Sequence, residues 1–294
     1  MTDRTTVFIW DTVLTKGDLA EFQAAWAADP PPLGPNVCAR VAVFGHLPIL
    51  QWVREQGCAW DVYTSFNAAY GGHLEMLKWV LRCDPPCPWS QYTLSWVAER
   101  GHLNVLQWIR ESGLPCEWHR GVSAFAADGG HLKVLQWLRA QTPPCPWDHS
   151  VCSNAAANGH LEVLQWARAN GCPWDGRACV IAAQGNHLEV LQWLMAAGCP
   201  GKATQLVTAA WESCSWTTLQ WLLQTYPSTV LQGNASPNTQ WPYHYAARQW
   251  LTRHHNLRFP AEIRYWLAVV DDIVLHLEQH FLCRDLAGLV ETYV

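Results

Sequence analysis

Between His160 and Ala169, polar side chains recur three apart at Glu162, Gln165 and Arg168, while Leu161, Val163, Leu164 and Trp166 are apolar. That spacing predicts a short helix with one narrow polar stripe. A helix of about ten residues is marginal alone, so one so apolar must be covered by neighbours on most sides. The segment before it, Ser150 to Asn158 (SVCSNAAAN), is small and alanine-rich and predicts a helix that neighbours approach closely. Gly159 between the two fits a helix C-terminus, a position that often requires positive φ.

The pattern recurs along the chain. Gly-His-Leu or a near variant returns with its histidine at His46, His73, His102, His131, His160 and His187, at intervals of 27, 29, 29, 29 and 27 residues. Asn186 stands for the glycine in the last of these, and asparagine is the next residue to tolerate the left-handed conformation. A Leu-Gln-Trp-like triplet follows each time, ending at Trp52, Trp79, Trp108, Trp137, Trp166 and Trp193. A second tryptophan, mostly in a Cys-x-Trp step, stands at Trp60, Trp89, Trp118, Trp147 and Trp174. From each second tryptophan to the next histidine the distance is always 13 residues, whereas first to second tryptophan is 8 or 10. The variation falls just before the Cys-x-Trp step, at Asp84-Pro85-Pro86, Leu114-Pro115 and Thr142-Pro143-Pro144, so this loop is expected to face solvent. Two short helices per repeat, each apolar on several sides, predict an all-α solenoid.

The stretch AAANGHLEVLQWARANG, Ala155 to Gly171, resembles the Ala-Ala-x-x-Gly-His core and second helix of the ankyrin repeat. The Leu-Gln-Trp and Gly-Cys-Pro-Trp-Asp forms are similar to divergent ankyrin repeats abundant in giant DNA viruses of amoebae. The family's usual Thr-Pro-Leu-His is absent; Tyr63-Thr64-Ser65-Phe66 and Ser150-Val151-Cys152-Ser153 stand there instead. The resemblance implies an ankyrin-type helical solenoid that binds proteins without catalysis. It also implies that the recurring histidine takes part in stacking and hydrogen bonding between repeats.

Degenerate repeats extend the pattern. Gly17 to Phe22 with Trp26 resembles an N-terminal cap, and Cys214 to Leu223 keeps Leu219-Gln220-Trp221 without the Gly-His pair. About eight repeats are thus expected over residues 1–226, then a linker over 227–242 and a helical C-terminal cap over 243–294. The clearest helix of that cap carries Trp266, Val269, Val270, Ile273, Val274 and Leu277 on one face.

Composition narrows the function classes. The chain has 294 residues, half of them hydrophobic and 15% charged, with 20 tryptophans against 7 phenylalanines and 8 tyrosines. A net charge of −5 gives no electrostatic footprint for nucleic acid or an anionic membrane. No apolar run approaches the roughly 18 residues of a membrane span, and the first residues show no signal-peptide pattern. A soluble, cytoplasmic protein is expected, in the host cytoplasm if viral, or else in a virion.

No nucleophile elbow, phosphate-binding glycine loop or His-Glu-x-x-His motif occurs, and most His and Cys residues between 46 and 199 recur with the repeat. Catalytic groups form a single constellation, so neither catalysis nor a cofactor is expected. Equivalent cysteines such as Cys87, Cys116 and Cys145 would lie about 8–10 Å apart on stacked helices, too far to share a metal or a disulfide. They read as small buried hydrophobes. Asp272, His276, His280 and Cys283 share one helix flank, and a packed flank is favoured over a zinc site there.

The helix tryptophans lie off the polar stripe and are expected in the core. The loop tryptophans, Trp60, Trp89, Trp118, Trp147 and Trp174, match the projecting turn where the resembled family commonly binds partners. They either pack on the preceding Pro or Cys or present a protein-binding edge. The resemblance also points to the end of each first helix, where Val43, Phe44, Tyr70, Glu99, Arg100, Asp128, Asn158, Gln184 and Trp211 vary in size and charge while their flanks repeat. Such variation suits either a specific binding groove or freely drifting solvent-facing positions. The expected role is a protein-binding scaffold for a host or viral protein, monomeric or weakly self-associating. A self-associating structural or virion component is the alternative.

Overall fold

The computed structural model describes residues 12–31, 34–114, 116–213 and 215–226. The expected linker, the helical cap, and the Asp272, His276, His280 and Cys283 group lie outside them. All regular structure among the described residues is helical. The chain divides into two compact units, with the boundary after Trp174.

In the first unit, α1 (Leu19–Ala28) precedes five helix pairs: α2 (Pro35–Phe44) with α3 (Leu47–Glu55), α4 (Val62–Tyr70) with α5 (Leu74–Arg82), α6 (Thr93–Glu99) with α7 (Leu103–Glu111), α8 (Arg120–Asp128) with α9 (Leu132–Arg139), and α10 (His149–Ala157) with α11 (Leu161–Ala169). First helices pack side by side, α2 on α4, α4 on α6, α6 on α8 and α8 on α10, while each second helix lies against its own partner. The second unit repeats the arrangement with α12 (Gly176–Gln184), α13 (Leu188–Ala196), α14 (Ala203–Glu212) and α15 (Trp216–Thr225).

Small side chains set the close approach of the first helices. Ala68, Ala69, Ala98, Ala126, Ala127, Ala155 and Ala156 are fully buried. Each second helix buries residues at i, i+1 and i+4: Ile49, Leu50 and Val53; Val105, Leu106 and Ile109; Val134, Leu135 and Leu138. The tryptophan between them does not share that core. Trp52, Trp79, Trp108, Trp137, Trp166 and Trp193 are all only half-buried, which corrects the expectation of a tryptophan core. The expected loop insertions at Asp84 to Pro86 and Thr142 to Pro144 are exposed.

The absent Thr-Pro-Leu-His start is replaced by an aspartate. In the Trp-Asp step, Asp61, Asp148 and Asp175 accept from the amides of Tyr63, Ser150 and Arg177 at 2.9, 2.9 and 3.0 Å. His119 Nδ1 does the same for Gly121 at 3.1 Å. These bonds satisfy donors that every helix start leaves open. Ser90 stands at the equivalent place before α6, which has no side-chain cap and begins only at Thr93.

The histidines join consecutive repeats. Nε2 of His73, His102 and His160 lies 3.0, 3.0 and 2.9 Å from the carbonyls of Val43, Tyr70 and Asp128, at the end of the preceding first helix. A carbonyl only accepts, so Nε2 carries the proton. The ring lies against a glycine of that preceding repeat. A Cβ on Gly45, Gly72 or Gly101 would fall 2.3, 2.5 or 2.5 Å from His73, His102 or His131. The same glycines have φ of 79°, 74° and 75°. Glycine is therefore required twice at this position, for φ and for space.

Asn186, with φ of 59°, is the one described non-glycine residue at positive φ. The histidine position of the following repeat holds Ser215, whose hydroxyl donates to the Gln184 carbonyl at 2.6 Å. With no ring there, the Asn186 side chain fits, accepting from Thr217 Oγ1 at 2.6 Å and the Thr218 amide at 3.2 Å.

Gly101→Ala is expected to destabilise the protein by about 2–4 kcal/mol, combining left-handed strain with the His131 clash. Gly57→Ala, at φ of 89° with open space around it, should cost only about 1–2 kcal/mol. Equal losses in urea titrations would contradict the steric role of the ring. Burial holds the His102 pKa below its ordinary 6.5, opposed by the Tyr70 carbonyl and reinforced by His73, His131 and Arg100. The unfolded chain therefore protonates first. The His102 contribution is whole above about pH 6.5 and is lost as pH falls below it. The thermal midpoint should be level from pH 8 to 7 and decline from 6.5 to 5, with a shallower decline in His102→Gln; an unchanged slope would count against this.

Candidate protein-binding face

The loop tryptophans are packed. Trp60, Trp118 and Trp147 meet Trp79, Trp137 and Trp166 of the following second helix edge-on, with centroids 5.7, 5.7 and 6.0 Å apart. On the other side, Arg54, Arg139 and Arg168 of the preceding second helix lie 4.0, 4.2 and 4.3 Å over Trp60, Trp147 and Trp174. These guanidinium groups also donate to the carbonyls of Cys58, Cys145 and Cys172. Arg110 is farther, 6.0 Å from Trp118, and donates instead to Thr142 O at 3.2 Å. The arginine of the polar stripe thus fixes the loop and covers the indole, a contact favoured by the ring quadrupole. Trp89, like the other four, is half-buried. The row is therefore packed on one side and partly open to solvent.

The exposed large apolar side chains lie on the first helices or at their start: Val43 at 50%, Tyr63 at 63% and Trp96 at 41% within helices, and Tyr92 at 74% in the turn just before α6. An aromatic row runs through the same helices. Phe66 stacks on Tyr70 at 5.6 Å, Tyr70 meets Trp96 at 6.4 Å, and Trp96 meets Phe125 edge-on at 5.1 Å. Arg100 lies 4.4 Å over the Tyr70 ring and donates to its hydroxyl. Asn158 donates to Asp128 at 3.1 Å. Glu99 holds Oε2 out of solvent with no hydrogen-bond partner.

The sequence-selected residues Tyr70, Arg100, Asp128 and Asn158 are thus brought into paired contacts at the ends of first helices. Gln184 is exposed in the second unit, where its backbone carbonyl accepts from Ser215. Sequence reasoning missed Tyr92, Trp96 and Phe125 and gave Tyr63 no role. A signal was present in the register. Three residues after the loop tryptophan stand Tyr63 and Tyr92, where the other repeats have Gly121, Ser150 and Arg177. Seven residues after it stand Trp96 and Phe125, where Asn67 and Asn154 instead donate to the carbonyls of Ala39 and Ala124 at 2.7 and 3.2 Å. Two neighbouring repeats have replaced polar clamps by aromatic rings.

No group of three or more metal-ligating side chains occurs among the described residues, and none of their helices is long and apolar enough to cross a membrane. An open cleft of about 530 Å³ lies beside the Trp60–Trp79 contact, lined by Gln51, Arg54, Glu55, Cys83 and Asp84.

Leu135 is fully buried and Trp137 only half-buried. Leu135→Ala should therefore cost about 3–5 kcal/mol and Trp137→Ala about 2–3 kcal/mol, measured by denaturant unfolding. A larger loss for the tryptophan would return it to the core. In comparisons with known proteins, no family model and no curated protein matches this chain.

Proposed function

We propose that the chain is an ankyrin-type repeat scaffold that binds a partner protein, host or viral, without catalysis. The observation that carries this reading is the exposed aromatic side chains Tyr63, Tyr92 and Trp96 on or just before the first helices, with Trp96 touching Tyr70, which Arg100 covers. Aromatic and arginine side chains dominate binding energy where they can be desolvated by a partner. They belong to helices whose alanines are buried against neighbouring first helices, so little ordering would accompany binding. The repeat pattern, the helix pairs and the histidine contacts between repeats support the ankyrin-type assignment, which also makes the first-helix ends a natural binding surface.

The test compares proteins retained from host-cell extract by the intact chain, by a Tyr92→Ala/Trp96→Ala variant and by Trp147→Ala. The aromatic-face variant should lose its partner by at least about tenfold while unfolding at a similar temperature. Trp147→Ala should lose stability and keep the partner. Retention by the face variant, or loss only with Trp147→Ala, would refute the assignment of the face. If light scattering instead shows concentration-dependent oligomers of the pure chain that Tyr92→Ala/Trp96→Ala abolishes, the face serves self-association.

A further inference from the structure

The first helices carry a second register of cysteines that the Cys-x-Trp pattern does not include. Cys38, Cys152 and Cys179 each stand four residues after a helix N-cap, at Gly34, Asp148 and Asp175. Twenty residues after each stands a loop cysteine: Cys58, Cys172 and Cys199. All six are buried and none is in a disulfide. The geometry of the position is given by its serine version. Ser123, four residues after His119, places its hydroxyl 3.2 Å from Cys145 Sγ. Cys145 Sγ also lies 3.6 Å from the His119 carbonyl, and Cys172 and Cys199 lie 3.4 and 3.3 Å from those of Asp148 and Asp175. The loop sulfur is thus anchored alike whichever residue faces it. With a cysteine on the helix, the two thiols contact each other, Cys152 with Cys172 and Cys179 with Cys199. In the remaining pair, Cys38 Sγ lies 3.9 Å from the Cys58 carbonyl.

We propose that Cys38–Cys58, Cys152–Cys172 and Cys179–Cys199 are sites of reversible disulfide formation by thiol–disulfide exchange with a small disulfide such as oxidised glutathione. Each link would clamp a first helix to the loop that follows its partner helix. One thiolate attacks the glutathione disulfide and releases one glutathione thiol. The facing thiol then displaces the second, so that one protein S–S bond forms and two electrons and two protons pass to glutathione. Burial pushes the Cys38 thiol up to about 12. Hydrogen bonding to its facing thiol, then burial, raises Cys172 and Cys179 in the same direction. A buried, protonated thiol is a poor nucleophile, so exchange proceeds when the loop opens. The middle of the first unit lacks the pairs: Ser65 and Ser123 face Cys87 and Cys145.

The full chain is held with oxidised glutathione a few degrees below its thermal midpoint, blocked with N-ethylmaleimide, cut with trypsin and analysed by mass spectrometry without reduction. Three products are expected. Peptide 17–40 is joined to 55–78, peptide 140–168 is joined through Cys152 to 169–177, and peptide 178–202 is lighter by two hydrogens. The thermal midpoint should rise by about 5 °C or more and return with dithiothreitol. Cys152→Ser should remove its own link and leave the other two. If the six cysteines carry only maleimide or glutathione while Cys83 and Cys116 are oxidised, the proposal fails. Linkage of Cys172 to Cys145 would overturn it equally.

Discussion

The contact on which the repeats depend is an imidazole ring laid across a glycine. Its Nε2 proton goes to a carbonyl at the end of the preceding first helix, one of the groups that a helix cannot satisfy internally. The ring reaches that carbonyl only because Gly45 or Gly72 offers no Cβ. The neighbouring alanines are small for a related reason, since a larger side chain would hold the first helices too far apart for the hydrogen bond. Histidine, glycine and alanine pair therefore form one device. Asn186 shows the dependence from the other side, since the larger residue stands where Ser215 replaces the ring.

A second device controls the opposite edge. The arginine on the thin polar stripe of one second helix donates to the loop carbonyl and covers the loop indole, whose edge meets the tryptophan of the next second helix. This arrangement explains how so many tryptophans coexist with so little charge. Trp60 and Trp147 are each covered by both another indole and a guanidinium, so a single cation per repeat serves the ring pair. It also frees the first-helix surface for variation. The exposed aromatic side chains are Tyr63 on α4, Tyr92 at the start of α6 and Trp96 within it, and Trp96 stands where α4 keeps the Asn67 clamp.

Much of this was legible in the chain. The spacing of Glu162, Gln165 and Arg168 placed the second helix, and the constant 13 residues from loop tryptophan to histidine fixed one rigid segment per repeat. Variable loop length marked the exposed loops. The aspartate of the Trp-Asp step is visible in the sequence, but its capping bond depends on the extended backbone that turns its side chain onto the amide two residues on. The depth of the helix tryptophans is not legible for a different reason. A polar stripe says which residues face water, but not how the remaining angular width divides between core and rim. Leu135 and Trp137 look equally apolar in sequence, and only their angle about the helix separates them.

By itself, the sequence determined the helix pairs, the period and the position that must be glycine, since these follow from local spacing and backbone sterics. It also recorded the cysteines and aromatics, one by one. Which of them meet was decided by tertiary structure. Cys152 faces Cys172, Arg139 covers Trp147 and Trp96 touches Phe125 because packed helices and their loops bring residues far apart in sequence into contact. Those distances depend on crossing geometry and side-chain volume, which no single repeat encodes.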